Sequence, residues 1–187
     1  KVRVISLFSG GLDITCSTLS VLDYYKSSID TVDLWYFDWG TRAASSEIMA
    51  GKLFREKLVE LGTKKDTIIQ SLKDDDINYE IIPIHTMFDN ILKACDTTVR
   101  LNSKDAEGAG SHEAEAALSY VPFRNQFLLT LAAAKAEQLY PGDHCLFVLG
   151  ANLSEGMVYL DNSETFVNLM NKVVKVGGQK CYNFSVR

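Results

Sequence analysis

The chain has 187 residues, 47% of them hydrophobic, with a mean hydropathy of −0.01 and a formal charge of −5. That length suits one domain, 1–187, able to bury about 70% of its unfolded surface. The acidic balance argues against direct nucleic-acid binding, which demands a basic face. No apolar run approaches the ~20 residues of a membrane span, and no leader-like segment opens the chain. The expectation is a cytoplasmic protein that handles small molecules. Cys16, Cys95, Cys145 and Cys181 are far apart with no CxxC pair, so they read as buried thiols in a reducing compartment.

Residues 2–8 (VRVISLF) predict a first strand, and a helical pattern follows the glycine loop at 14–26. Residues 32–38 (VDLWYFD) predict a second strand. Ala50, Phe54, Leu58 and Leu61 recur at helical spacing, predicting a helix over 45–61 capped by Ser45 or Ser46. A third strand is expected at 78–85, with Pro83 limiting its pairing, and a short helix at 87–95. Residues 96–119 are polar and small, and read as a mobile loop or lid. A strong helix follows at 123–139, ended by Pro141-Gly142, then a fourth strand at 144–150, a loop at 151–163 and a helix at 164–175. Strand and helix in strict succession predict an α/β fold, a mainly parallel sheet with helices on both faces. Ligands of such sheets sit at the carboxyl ends of the strands, where the loops 9–13, 38–42 and 150–161 fall.

The stretch LFSGGLDITC, residues 7–16, leaves the first strand through Ser9-Gly10-Gly11. Two adjacent glycines let backbone N–H groups approach a ligand, and the following helix adds its positive end. Ser9 adds a hydroxyl. Asp13 would face Mg²⁺ or a helix N-terminus rather than a bare phosphate. A tight strand-to-helix turn with Asp13 as N-cap accounts for the same residues. Neither GxxxxGK[ST] nor GxGxxG occurs as a strand-to-helix loop. Arg124-Asn125 open a helix just after Pro122, where a guanidinium and an amide can hold a carboxylate or phosphate. Gly150 ends a strand, and Asn152, Glu155, Tyr159 and Asp161 follow it. His85, His112 and His144 have no metal-ligand spacing, and Asp74-Asp75-Asp76 reads as a solvated turn.

Ser9-Gly10-Gly11-Leu12-Asp13 resembles the SGGxDS loop of the pyrophosphate-loop ATP pyrophosphatase superfamily, with Ile14 where that motif has serine and Thr15 one place late. Within it, YFDWGTR (36–42), YVPFRNQFLLTLAAAKAE (120–137) and LGANLSEGMVYLDNSETFVNLMN (149–171) are similar to segments of the 7-cyano-7-deazaguanine (preQ0) synthases, with Leu160 at a family proline. Four motifs in order cover nearly the whole chain.

The resemblance implies a Rossmann-like, adenine nucleotide alpha hydrolase-like fold. It implies ATP and Mg²⁺ at Ser9, Gly10, Gly11, Leu12, Asp13, Thr15, Asp38, Gly40, Arg42 and Gly150, with Asp13 toward the metal. Asp13, Arg124 and Asn125 would serve catalysis. The deazaguanine base would meet Asn152, Glu155, Tyr159 and Asp161. The implied reaction adenylates 7-carboxy-7-deazaguanine and uses ammonia to form the amide and then the nitrile, in queuosine biosynthesis or phage DNA modification. A homodimer is the expected assembly, and the host cytoplasm the location if the source is viral. The family's C-terminal zinc-binding cysteine cluster is not in this sequence, so the chain is either truncated or a compact variant. Three alternatives stay open: a variant that stops at the amide, one that passes the activated base to a protein amine, and a degenerate nucleotide-binding scaffold.

Overall fold

The structure, a computed structural model, describes residues 2–41, 43–64, 67–70, 72–86, 121, 123–151, 160–180 and 184–187. The expected helix at 87–95 and loop at 96–119 lie outside them. β1 (Val2–Leu7), β2 (Ile29–Asp38), β3 (Ile77–Pro83), β4 (Cys145–Val148) and β5 (Ser185–Val186) form one sheet in the order β3-β2-β1-β4-β5, and every pairing is parallel. The helices are α1 (Leu12–Tyr25), α2 (Ala44–Gly62), α3 (Arg124–Leu139) and α4 (Glu164–Gly177).

Alternation along the strands divides the core into two layers. Val4, Val32, Leu34, Ile77 and Leu146 pack toward α1 and α2, with Ile14, Leu22 and Leu58. Ile5, Trp35, Phe37, Phe147 and Val186 pack toward α3 and α4, with Leu129, Ala132, Met170 and Val174. Helices thus cover both faces, as the run of strands and helices predicts.

β2 begins at Ile29, three residues before the expected start. Polar Asp30 and Thr31 mask its beginning in the sequence, yet Ile29 pairs with Val2. Asp33 is 1% exposed and accepts from Arg3 Nη1 at 2.9 Å and Asn78 Nδ2 at 3.0 Å, so a buried carboxylate stays paired. Burial alone would lower the Arg3 pKa, but the hydrogen bond and charge of Asp33 outweigh it and hold the guanidinium above its ordinary value. Pro83 ends edge strand β3 opposite Asp38, where its missing N–H costs no ladder bond.

β5 has only two residues. Asn171 of α4 supplies what a neighbouring strand would: Val186 N–H donates to its Oδ1 at 2.6 Å, and its Nδ2 donates to Val186 O at 2.9 Å. Three expectations are corrected. α2 starts at Ala44 behind Ala43 with no side-chain cap, because neither Ser45 nor Ser46 precedes the first turn. Asp13 is not the N-cap of α1, since the helix begins at Leu12 behind Gly11. Cys16 is exposed on α1, while Cys145 is buried.

The chain builds β1, β2 and β3 outward, then returns to lay β4 on the other side of β1. Strand order therefore reverses between β1 and β4, and this reversal opens a crevice at the carboxyl ends.

Candidate functional site

That crevice holds a cleft of about 280 Å³. Its floor is the loop from β1 to α1. Gly10 has φ +80°, and a Cβ there would stand 2.6 Å from Ala50 Cβ, so α2 and the loop touch only because the side chain is absent. Gly11 is the N-cap, extended and without a side-chain cap. Among the described residues no side chain caps the first-turn N–H groups of α1, which stand at the helix's positive end and can meet an anion. Ser9, Gly11, Leu12 and Asp13 all line the cleft, with Asp13 in the first helical turn.

Gly150, two residues past the end of β4, lies against this helix start. A Cβ there would stand 2.7 Å from Ile14 N and 2.9 Å from Ile14 Cα. Its role is close approach between two backbones, and it too borders the cleft. Ile14 is 3% exposed and lies in the α1–α2 core. The position thus brings backbone to the site and no hydroxyl.

The opposite wall comes from α3. Arg124 lines the cleft, with its guanidinium carbon 5.9 Å from the centre of the Trp39 ring. Phe123, the residue before it, has φ +56°, a left-handed conformation that turns the chain sharply into the helix. Asn125 also lines the cleft but is 8% exposed. Its Nδ2 donates to Asp161 O at 3.2 Å and Asn162 Oδ1 at 3.0 Å. Its backbone N–H donates to Asp161 Oδ2 at 3.3 Å. The Asp161 carboxylate thus caps α3, and Asn125 ties that helix to the turn Leu160–Asn162.

The cleft gathers Ser9, Gly11, Leu12, Asp13, Arg124, Asn125 and Gly150. Other expected residues sit around it. The Thr15 hydroxyl donates to Gly11 O at 2.8 Å, within its own helix. Asp38 Oδ1 accepts from Gly40 N–H at 3.0 Å, and Gly40 has φ +81°, so this pair shapes the turn after β2. Arg42, Asn152, Glu155 and Tyr159 lie outside the described residues.

Three cleft residues, Tyr36, Glu47 and Trp39, were not assigned to the site by the sequence reading. Tyr36, 2% exposed, donates its hydroxyl to Glu47 Oε2 at 2.7 Å, and both line the cleft. Burial, then the hydrogen bond and charge of Glu47, push the Tyr36 pKa far up, so the phenol is a fixed donor near neutral pH. Trp39 is the third of them, an aromatic surface in the cleft. The signal was available: Tyr36 continues the alternation of Val32 and Leu34 toward α2, and Glu47 falls in the first turn of that helix.

Fold and cleft define the class first: a doubly wound α/β protein that places an uncapped helix start and a guanidinium around one ligand crevice. The sequence model of the family described as "Queuosine biosynthesis protein QueC" matches residues 3–187, and the chain belongs to this family of carbon–nitrogen ligases. A 7-cyano-7-deazaguanine synthase of Methanococcus aeolicus is 27% identical over 94% of this chain and 67% of its own length. One of Methanocaldococcus jannaschii is 30% identical over 94% of this chain and 66% of its own. One of Aliarcobacter butzleri is 29% identical over 94% and 64%. The chain thus spans about two thirds of the length of these relatives. Among the described residues, no helix is long and apolar enough to cross a membrane.

Proposed function

We propose that this chain binds ATP at the β1–α1 loop, adenylates 7-carboxy-7-deazaguanine, and directs ammonia onto the activated carbonyl. The carrying observation is that the uncapped start of α1 and the Arg124 guanidinium line one cleft from opposite layers of the fold. The residues fit a polyphosphate: uncapped N–H groups, a glycine loop pressed on α2, and the Ser9 hydroxyl. Asp13 is the carboxylate that would hold Mg²⁺, whose chemistry is to offset phosphate charge.

A substrate carboxylate oxygen attacks the α-phosphorus and pyrophosphate leaves, giving an acyl adenylate. Ammonia then forms a C–N bond, the C–O bond to AMP breaks, and a proton is lost to give the amide. A second adenylation, on the amide oxygen with release of pyrophosphate, followed by departure of AMP with that oxygen and loss of both N–H protons, would give the nitrile. No side chain need bond covalently to substrate. Arg124 orients the reacting carboxylate and offsets developing charge, while Asn125 fixes the helix that carries it. A homodimer is the proposed assembly.

The test is reaction of the purified protein with ATP, Mg²⁺, ammonium and 7-carboxy-7-deazaguanine, read by mass spectrometry. Amide or nitrile with stoichiometric AMP is the expected result, and the ratio of the two says how far the reaction runs. ATP binding with no product would sink the ligase reading for this chain in favour of a scaffold.

A further inference from the structure

Glu47 is a carboxylate in a cleft proposed to receive two anions, a triphosphate and a substrate carboxylate. Such a group is unfavourable there unless donors satisfy it. Among the described residues, its one hydrogen bond is with the neutral Tyr36 phenol. Tyr36 is almost fully buried on β2, so the phenol fixes one oxygen of the carboxylate, and no other described residue takes its remaining lone pairs. Of the two carboxylates expected to meet the base, Asp161 is engaged at the start of α3, and Glu155 lies outside the described residues. Glu47 comes from the α1–α2 layer and Arg124 from the α3–α4 layer. The cleft therefore offers an acceptor on one wall and a cation on the other, with the Trp39 indole among its aromatic surfaces.

We propose that Glu47, oriented by the Tyr36 hydroxyl, is the acceptor that reads the paired N–H donors of a guanine-type heterocycle bound in this cleft. The inference deepens the ligase reading and rests on it. A guanine-type ring presents two adjacent donors, the ring N–H and the 2-amino group, and a carboxylate presents two acceptors to match. An adenine edge presents a donor beside an acceptor, and that acceptor would face a carboxylate lone pair. Glu47 thus selects the first ring against the second. A substrate carboxylate on the far side of the ring would point to the Arg124 wall.

The test is binding by calorimetry of three ligands separately: 7-carboxy-7-deazaguanine, its analogue lacking the 2-amino group, and ATP. Wild-type protein should prefer the amino-bearing ligand by roughly tenfold or more. Glu47→Gln should bind both heterocycles alike and weakly, with ATP affinity within about twofold of wild type. Tyr36→Phe keeps the charge and loses its orientation, so it should show part of the same loss; it also covers a Glu47→Gln protein that fails to fold. Full discrimination retained in either folded variant would overturn the proposal. So would a loss confined to ATP, which would place Glu47 at the nucleotide, or a change seen only in the KM for ammonium. Substrate turnover with unchanged discrimination in Glu47→Gln would sink this inference and leave the ligase reading standing. ATP binding by wild type with neither heterocycle bound would sink both.

Discussion

Gly150→Ala is the sharpest probe of how the site is assembled. The added methyl would stand 2.7 Å from Ile14 N, 2.8 Å from Ile14 Cβ and 2.9 Å from Ile14 Cα. The shortfall from ordinary contact is about 0.5–0.7 Å, against atoms that cannot rotate away. Either β4's end or the start of α1 must move by several tenths of an ångström. Overpacking of this kind costs about 1–3 kcal/mol, which for a chain of this size lowers the melting temperature by roughly 2–12 °C. Because the moving atoms are the anion cradle itself, turnover should fall by roughly ten- to a hundredfold beyond the stability loss. Thermal denaturation and steady-state kinetics in ATP read the two effects separately. Gly177→Ala is the control, since a Cβ at that helix end meets nothing within 4 Å; it should be neutral or stabilising by up to about 1 kcal/mol. Trimming the neighbour does not relieve the clash, so Ile14→Ala should not rescue Gly150→Ala. A Gly150→Ala protein with wild-type melting and wild-type ATP kinetics would refute the close approach and the cradle geometry built on it.

Asn171→Ala should destabilise by about 2 kcal/mol, because it leaves the Val186 N–H without its acceptor at the buried edge of the sheet and takes one of two donors from Val186 O, which keeps Arg187 Nη1 at 3.1 Å. Asn171→Asp, which keeps the acceptor and loses the donor, should fall between; urea unfolding of the three proteins checks the order. Tyr36 supplies a pH signature. Its raised pKa means that its stability contribution is complete below the ordinary tyrosine value and is lost as pH rises, since the unfolded chain ionises first. Above about pH 10, each such tyrosine should cost up to about 1.4 kcal/mol per pH unit. Tyr36→Phe should make the alkaline fall in stability shallower. An identical slope in both proteins would count against the buried phenol–carboxylate pair.

The fold was legible where burial and period agree. β1, β4 and the α3 pattern of leucines and alanines write their burial into composition, because parallel strands and a core helix are apolar for most of their length. β2's beginning was not legible, since Asp30 and Thr31 break the apolar run there, and although Asp33 was placed in the strand, its burial beside Arg3 and Asn78 was not readable. No local pattern reveals a partner 30 or 45 positions away. β5 was invisible because two residues carry no period and its outer edge is met by Asn171 rather than by another strand. At the site, the glycine loop and the Arg124 helix start were readable as chemistry. Motif residues that shape turns, such as Asp38 and Gly40, looked the same in sequence as residues that face a ligand. Glu47 was missed for the complementary reason: one acid in an exposed-looking first turn is ordinary until a buried tyrosine points at it.

Why the chemistry gathers between α1 and α3 follows from the order of the strands. An anion cradle needs an uncapped helix start, and a cation to meet it must come from a different element. Helices that cover the same face of a parallel sheet point their N-termini the same way. The reversal between β1 and β4 parts α1 from α3, one on each face, while both still begin at the carboxyl edge. Arg124 then lines the same cleft as the cradle, from the other layer. Gly150 closes the gap from β4, and Asp161 with Asn125 anchors the start of α3. A substitution that loosens that anchor, such as Asn125→Ala, should therefore act on the orientation of Arg124 more than on the α1 cradle. It should lower the rate with the carboxylate substrate while leaving ATP affinity nearly unchanged. Loss of ATP binding with the carboxylate rate preserved would reverse the assignment of the two walls.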